Sequence, residues 1–167
     1  MGPVMSTDKS PSQIKFTGKT DYNDFVDKVI ALAQQEIRVF DQQLEKTFNS
    51  PARHDALRDF LLANQRNRLR IVVHDASKIE RDCPRMLDLL RAFNHAMTIH
   101  ETRTEAKNVY DLFVIADEVH SVRRFHFNDL RGLYALDDPI EAHTLVERFE
   151  EIWEASAPAL APTTIGL

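Results

Sequence analysis

The sequence predicts an α/β fold, a three-layer α/β/α sandwich with a mixed, mainly parallel sheet and an antiparallel hairpin late in the chain. Strand-like and helix-like segments alternate through the first two thirds of the sequence, which is typical of a parallel sheet with helices on both faces. Two β-like runs then follow with only Asp117 and Glu118 between them. That connection is too short for a crossover helix, so the two runs are predicted to form a hairpin.

The first half of the chain supplies two strand and helix pairs and a third strand. Residues 14–17 alternate like a short strand, and apolar residues then recur at helical spacing from Thr20 to Ala33. Residues 36–40 alternate again. Ser50 and Pro51 are an N-cap and a first-turn proline, which predict a second helix ending near Asn64. The third strand, residues 69–73, is the strongest strand signal in the sequence.

The second half begins with another helix and strand and ends with a capped helix. An apolar stripe over residues 86–93 predicts the helix, and residues 97–99 predict the strand. Residues 112–116 and 119–124 form the hairpin, and residues 133–136 are expected to add an edge strand. Asp138, Pro139 and Glu141 have the spacing of a capping box, which predicts the start of the last helix.

Length and composition indicate one domain in a reducing compartment. A chain of 167 residues with 43% hydrophobic residues is long enough to bury a core without disulfides. Cys83 is the one cysteine, which excludes an internal disulfide and a multi-thiolate metal site. The first residues are polar, and the residues from Ala157 onward are rich in proline and alanine and have no periodicity. The sequence therefore predicts residues 1–13 as a disordered lead, residues 14–156 as the domain and residues 157–167 as a flexible tail.

Charge and hydropathy narrow the set of partners. The net charge of −5 argues against nucleic acid and anionic lipid as partners. No apolar run approaches the roughly 20 residues that a membrane span needs, and the first residues lack the apolar segment of a signal peptide. We therefore expect a cytoplasmic protein with no membrane partner. With four glycines, the chain also lacks the glycine-rich loops that bind nucleotide phosphates, and no cofactor is predicted.

Acidic and histidine side chains follow the predicted strands, where ligands of open α/β sheets tend to bind. These strand-end residues are Asp41, His74, Asp75, His100, Glu101 and Asp117. A histidine beside carboxylates can act as a general base, or can bind a divalent cation together with them. Alternatively, aspartates at strand ends cap the backbone of turns. The sequence leaves both interpretations open and predicts no defined metal site.

Arginines lie on two of the predicted strands. Arg66, Arg68 and Arg70 form a basic cluster that leads into the third strand, and Arg123 and Arg124 belong to the second arm of the hairpin. An arginine can bind a phosphate with two hydrogen bonds, which is the functional interpretation. The structural alternative is that these arginines pair with the many carboxylates at the surface.

Several segments together resemble the phospholipase D-like domains. They are residues 57–62, residues 68–75, Phe113 to Asp117, and Pro139 to Ala142 ahead of a helix that contains Trp153. More narrowly, the chain resembles an uncharacterised bacterial group that occurs alone or fused to acetyltransferase-like domains. The resemblance spans about residues 20–156. It implies the α/β sandwich of one half of a complete phospholipase D-like unit.

The catalytic motif of that family is H-x-K-x-x-x-x-D, in which the histidine attacks phosphorus and the lysine binds the phosphate. If Asp117 matches the aspartate, Tyr110 stands at the histidine position and Leu112 at the lysine position. A phenol is a poor nucleophile at neutral pH, and leucine cannot neutralise a phosphate. The resemblance therefore implies the fold without the phosphodiesterase chemistry.

A lone half of such a unit is expected to form a homodimer, since the complete unit pairs two halves about a pseudo-two-fold axis. A surviving pocket is then expected at the interface, lined by His74, Asp117, His120 and Arg124. The sequence favours a non-catalytic binding or interaction module that assists an acetyltransferase-type partner. The alternative is a metal-assisted or acid–base hydrolase of a phosphorylated or nucleotide-like small molecule, with Asp41, His74 and Asp75 in its site.

Overall fold

One eight-stranded sheet runs through residues 10–160, the part of the chain that the computed structural model describes. From one edge to the other its strands are β1 (Ser12–Thr17), β7 (Asp129–Leu136), β6 (His120–His126), β5 (Leu112–Ala116), β2 (Glu36–Asp41), β3 (Arg68–Val73), β4 (Met97–Thr102) and β8 (Ser156–Pro158). The strands thus pair in an order that differs from their order in the chain.

Most neighbouring strands are antiparallel, so the predicted mainly parallel sheet is wrong in this detail. Only β2–β3 and β3–β4 are parallel, and the five other pairs are antiparallel. The cause is the connection of residues 103–111 between β4 and β5. It contains a short 3₁₀ turn but no crossover helix. Without a crossover, the chain must begin β5 on the side of the sheet where the parallel strands β2, β3 and β4 have their carboxyl ends. Strand β5 therefore runs antiparallel to β2.

Helices cover both faces of the sheet, which confirms the three-layer sandwich. The core on one face holds α1 (Lys19–Leu32), α2 (Pro51–Ala63) and α4 (Pro84–Ala92), preceded by the single turn α3 (Ile79–Asp82). The core on the other face holds α5 (Pro139–Glu154). Within residues 10–160, no helix is long and apolar enough to cross a membrane.

Two helix starts follow the predicted capping chemistry. The Ser50 hydroxyl accepts a hydrogen bond from the Arg53 backbone N–H at 3.1 Å, at the start of α2. The Asp138 carboxylate accepts one from the Glu141 backbone N–H at 3.1 Å, at the start of α5. Each bond satisfies one of the backbone donors that a helix N-terminus leaves without an intrahelical partner.

The sheet extends beyond the predicted domain limits at both ends. Strand β1 begins at Ser12, within the segment predicted as a disordered lead, and pairs with β7, which is therefore an inner strand and not an edge. Strand β8 lies partly in the predicted tail and pairs with β4. Residues 1–9 and 161–167 of the predicted lead and tail lie outside the described residues.

The hairpin of β5 and β6 is confirmed, with a turn of two left-handed residues. Asp117 has a φ of 55° and Glu118 a φ of 58°. Positive φ at both central residues is the signature of the type I′ turn, whose twist matches that of the strands it joins. Asparagine and aspartate adopt this conformation more readily than other side chains.

Candidate functional site

A cleft of about 620 Å³ opens at the carboxyl ends of β2 and β3. Its walls come from those strand ends, from the start of α1, from α3 and from the adjacent ends of β5 and β6. Its lining residues are Lys19, Asp41, Gln42, Gln43, Leu44, Glu45, Lys46, His74, Asp75, Asp82, Leu112, Arg124 and Phe127. Among the residues predicted to line the interface pocket or the hydrolase site, Asp41, His74, Asp75 and Arg124 therefore share one cavity.

Asp41 is the last residue of β2 and lies at the base of this cleft with 6% of its surface exposed. Its Oδ1 atom accepts a hydrogen bond from the Gln42 backbone N–H at 2.7 Å. Burial, followed by the nearby Glu45 carboxylate, raises the pKa of Asp41 to about 8. The Asp41 side chain is therefore mostly an uncharged carboxylic acid at pH 7.

Arg124 faces the cleft from β6 with only 2% of its surface exposed. Its Nε atom donates to the Asp129 carbonyl at 3.1 Å, and its Nη2 atom donates to the Phe127 carbonyl at 2.9 Å. Its Nη1 atom lies 3.9 Å from the Glu45 carboxylate. Arg124 thus holds the turn between β6 and β7 and places positive charge beside Asp41.

His74 lies in the cleft, but its ring is committed to the fold. Its Nε2 atom is 2.6 Å from the Val109 carbonyl, and its Nδ1 atom is 2.6 Å from the Thr102 hydroxyl. Since a carbonyl only accepts hydrogen bonds, Nε2 carries the proton and Nδ1 accepts from the hydroxyl. Burial and the nearby Lys107 ammonium lower the pKa of His74. The ring therefore ties the connection of residues 103–111 to β3.

Asp75 is a turn residue at the rim. One of its carboxylate oxygens accepts from the Ser77 backbone N–H at 2.9 Å. Hydrogen bonds from Ser77 lower the pKa of Asp75, which is therefore ionised at neutral pH. This is the capping arrangement that the sequence left as its alternative to a catalytic role.

Asp117 and His120 lie at the opposite edge of the sheet, so the expectation that they line a pocket with His74 and Arg124 does not hold within one chain. Because β5 is antiparallel to β2, its last residue pairs with the start of β2: Ala116 lies opposite Ile37. Asp117 accepts hydrogen bonds from the backbone N–H groups of residues 34, 35 and 36 at 2.7, 2.7 and 2.9 Å. His120 accepts one from the Asp137 backbone N–H.

We expect Asp117→Ala to destabilise the protein by about 2 kcal/mol, because three backbone donors lose a charged acceptor. Alanine also tolerates the left-handed turn less well than aspartate does. Asp117→Asn keeps one acceptor oxygen and should recover part of the loss. Urea denaturation monitored by circular dichroism measures both variants. An alanine variant as stable as the wild type would show that Asp117 does not hold the start of β2.

The predicted surface arginines are mostly paired. Arg70 contacts Glu150 on α5 at 2.6 Å and Glu36 at 3.3 Å. Arg123 lies 3.9 Å from Glu141. These ion pairs agree with the structural interpretation of the arginines, and they lie outside the residues that line the cleft.

Sequence reasoning missed several cleft residues, among them Glu45, Lys46, Lys19 and Phe127. All four lie in loops, in turns or at a helix start, where no hydrophobic periodicity marks a position as facing a cavity. Phe127 is 39% exposed and stacks with His126 at a ring distance of 4.8 Å. The aromatic run Phe125, His126 and Phe127 at the end of β6 and in the β6–β7 turn was the sequence signal that could have indicated this exposed aromatic surface.

Cys83 is a buried thiol that bonds to the loop after β2. Burial raises the pKa of Cys83 to about 11, and its Sγ atom donates to the Glu45 carbonyl at 3.3 Å. Within residues 10–160, no group of three or more histidine, cysteine, aspartate or glutamate side chains is placed to hold a metal ion.

A family profile described as "Domain of unknown function (DUF7931)" matches residues 19–161. The chain belongs to this family. The match includes every residue that lines the cleft, from Lys19 to Phe127. Among curated proteins, none matches the sequence significantly.

Solved structures that resemble the DUF7931 domain include phospholipase D-family proteins. Nuc from Salmonella typhimurium, a phospholipase D family member, superposes with a TM-score of 0.64 at 16% identity over 91% of this chain and 100% of Nuc. NucT from Helicobacter pylori superposes with a TM-score of 0.56 at 12% identity, over 90% of this chain and 100% of NucT. These identities show likeness of fold alone, and the fold implied by the resemblance is confirmed.

Two larger proteins contain a similar domain. Phosphatidylserine synthase of Haemophilus influenzae gives a TM-score of 0.57 at 16% identity, over 92% of this chain and 40% of the synthase. TrmBL2, an archaeal chromatin protein with a novel mode of DNA binding, superposes with a TM-score of 0.63 at 14% identity, over 88% of this chain and 54% of TrmBL2. The DUF7931 chain thus spans about half of each of these proteins or less.

Proposed function

We propose that this domain is a non-catalytic binding module and that the cleft beside Asp41 is its ligand site. The observation that carries the proposal is the state of His74. It is the one histidine among the residues that line the cleft, and both of its ring nitrogens bond to other parts of the protein. A general base needs a nitrogen within reach of the substrate proton, and His74 offers none.

The position of Leu112 supports the same proposal. Leu112 stands where the phospholipase D motif has its phosphate-binding lysine, and it lines the cleft. Tyr110, at the position of the nucleophilic histidine, is 48% exposed. A leucine and a phenol in these places keep the shape of the fold but not the nucleophile and phosphate ligand of the reaction.

One observation favours the alternative function. A carboxyl group that keeps its proton at neutral pH is typical of a general acid, and Asp41 is such a group in a cleft. In this second candidate function, water attacks the phosphorus of a phosphorylated small molecule, the P–O bond to the leaving group breaks, and Asp41 gives its proton to the leaving oxygen. Neither of the other two residues predicted for this hydrolase can act as its base, because Asp75 caps a turn and both ring nitrogens of His74 are bonded within the protein.

A turnover assay separates the two candidates. The purified protein is incubated with bis(p-nitrophenyl) phosphate and p-nitrophenyl phosphate, and release of p-nitrophenol is followed by absorbance. We expect the rate to equal that of the buffer blank, and a commercial phosphodiesterase serves as the positive control. A rate above the blank that disappears in Asp41→Asn would replace the binding module with the acid-catalysed hydrolase. A rate that survives this variant indicates a contaminating enzyme.

The homodimer and the acetyltransferase-type partner remain parts of this proposal, in a bacterial cytoplasm. Both come from the family resemblance and not from a contact of the described residues. Light scattering of the purified chain checks the first, since a monomeric mass contradicts the homodimer.

A further inference from the structure

Arg124 has one nitrogen, Nη1, that forms an ion pair with Glu45 but donates no hydrogen bond within residues 10–160. Its Nε and Nη2 atoms donate to main-chain carbonyls. Within residues 10–160, no atom accepts a hydrogen bond from Nη1, and the Glu45 carboxylate, at 3.9 Å, is beyond hydrogen-bonding distance. A guanidinium group whose surface is 98% buried carries its full charge in a poorly solvated place. Nη1 is therefore the donor that a ligand in the cleft can use.

Asp41 supplies a second donor beside this nitrogen. The Gln42 N–H group occupies its Oδ1 atom, and the carboxyl group lines the same cleft as Arg124. A protonated carboxyl group donates one O–H and can bond to an anion. An ionised carboxylate at this position would repel the same anion.

We propose that the cleft binds the oxyanion of a small organic acid, a carboxylate or a phosphate monoester, between Arg124 Nη1 and the Asp41 carboxyl group. This inference rests on the proposed binding function and names the class of its ligand. In the cleft wall, Lys19 and Lys46 offset the charges of the Asp75 and Asp82 carboxylates, as Arg124 offsets that of Glu45. The side chains of Leu112 and Phe127 lie in the same wall and offer apolar contact to the body of the ligand.

The charged surroundings of Asp41 determine how this binding changes with pH. The charged or titratable residues that line the cleft with Asp41 include Lys19, Lys46, His74, Asp75 and Asp82. The groups that interact electrostatically with Asp41 itself are Tyr22 on α1, Glu45 after β2, Cys83 before α4 and Arg124 on β6. Tyr22 has a raised pKa and stays neutral, as does Cys83. Asp41 is thus the group in this set that changes charge between pH 7 and pH 9.5, and an anionic ligand favours its protonated form.

Calorimetric titration with benzoate, phenyl phosphate and benzamidine tests the inference. Benzoate and phenyl phosphate share an aromatic ring and carry the two oxyanions, while benzamidine has a similar ring and a cation. We expect binding of one or both anions at pH 7 and none of benzamidine. The anion that binds with the higher affinity shows whether the cleft prefers a carboxylate or a phosphate monoester. For wild type we expect affinity to fall about 30-fold between pH 7 and pH 9.5 as Asp41 ionises.

The matched variant is Asp41→Asn, which keeps an amide donor and has no charge to gain. Its affinity for the same anion should change less than 3-fold over that pH range, with circular dichroism confirming that both proteins are folded at pH 9.5. Arg124→Gln should abolish binding if it folds. The Asn variant keeps the test decisive if Arg124→Gln does not fold.

Three results would overturn the inference: no heat of binding for either anion at millimolar concentration, equal binding of benzamidine, or the same loss of affinity in Asp41→Asn as in wild type. Each of them leaves the non-catalytic function standing as long as no turnover is seen. Release of p-nitrophenol that disappears in Asp41→Asn, in contrast, overturns the proposed function and leaves the inference about oxyanion binding standing.

Discussion

Asp41→Asn should make the protein more stable than wild type at pH 7, by roughly 4 kcal/mol if the whole pKa shift is expressed. Burial raises the pKa of the folded-state carboxyl group from 3.8 to about 8. Between these two values the unfolded chain releases the proton while the folded protein keeps it. The stability that Asp41 contributes is thus fully present below pH 4 and is lost as the pH rises toward 8.

Asparagine removes this pH dependence because it is neutral throughout the range. It also keeps an oxygen that can accept the hydrogen bond from Gln42. Urea denaturation at pH 4.5, 6, 7 and 8 measures the free energy of unfolding of both proteins. We expect the difference between them to grow with pH at up to about 1.4 kcal/mol per unit.

Asp75→Asn is the matched control, since Asp75 lies at the rim of the same cleft but its pKa is lowered in the folded protein. The stability that Asp75 contributes has the opposite pH dependence to that of Asp41: it is present above the unfolded-state pKa and is lost on acidification. Asp75→Asn should therefore not stabilise the protein at pH 7. Parallel stability curves for wild type and Asp41→Asn would mean that Asp41 is ionised in the folded protein.

Gly132→Ala should destabilise the protein by roughly 3 kcal/mol or more, as overpacking of a rigid interior does. Gly132 lies on β7 between Phe16 of β1 and Arg124 of β6 in the register of the sheet. A Cβ atom at this position would lie 2.2 Å from the Arg123 carbonyl oxygen and 2.4 Å from the Phe16 ring. The oxygen belongs to the backbone of β6, so relief requires a shift of the strand that carries Arg124.

Phe16→Leu, alone and together with Gly132→Ala, separates the two clashes. The shorter side chain removes the contact with the ring but not the contact with the backbone oxygen. We expect the double variant to be less destabilised than the sum of the two single variants, yet still less stable than Phe16→Leu. Thermal denaturation gives the three values, and a Gly132→Ala loss below about 1 kcal/mol would contradict the packing described for β7.

The helices and the hairpin could be predicted from the sequence because helix caps and turns depend on the types of a few neighbouring residues. The caps at Ser50 and Asp138 and the hairpin at Asp117 each depend on a few adjacent side chains, and all three are present in the structure. The two helical layers follow from apolar faces that have to be buried.

Strand direction could not be predicted in the same way, because alternation of apolar residues is the same in parallel and antiparallel strands. The error about Asp117 came from this gap. A strand-end aspartate lies at the carboxyl edge only if its strand is parallel to β2 and β3, and β5 is not. The length of the connection of residues 103–111, without a helical pattern, was the signal that favoured an antiparallel β5.

The candidate site was predictable to the extent that it uses strand ends. Asp41, His74 and Asp75 follow β2 and β3, which are parallel, and they do lie at one cleft. Arg124 reaches it because the antiparallel β6 pairs its residue 124 with Leu112 at the same edge. Glu45 and Lys46 come from a loop, whose course depends on tertiary contacts that no local pattern records.

The central claim, a cleft that binds an organic oxyanion and does not cleave it, is tested most directly by ³¹P NMR of phenyl phosphate mixed with the protein. Binding broadens or shifts the ligand resonance, and hydrolysis produces a separate inorganic phosphate resonance. We predict a perturbed phenyl phosphate signal that is restored by excess benzoate, with no inorganic phosphate after a day at pH 7. Growth of the inorganic phosphate signal would contradict the claim, and so would an unperturbed phenyl phosphate signal from a protein that also gives no heat of binding with benzoate.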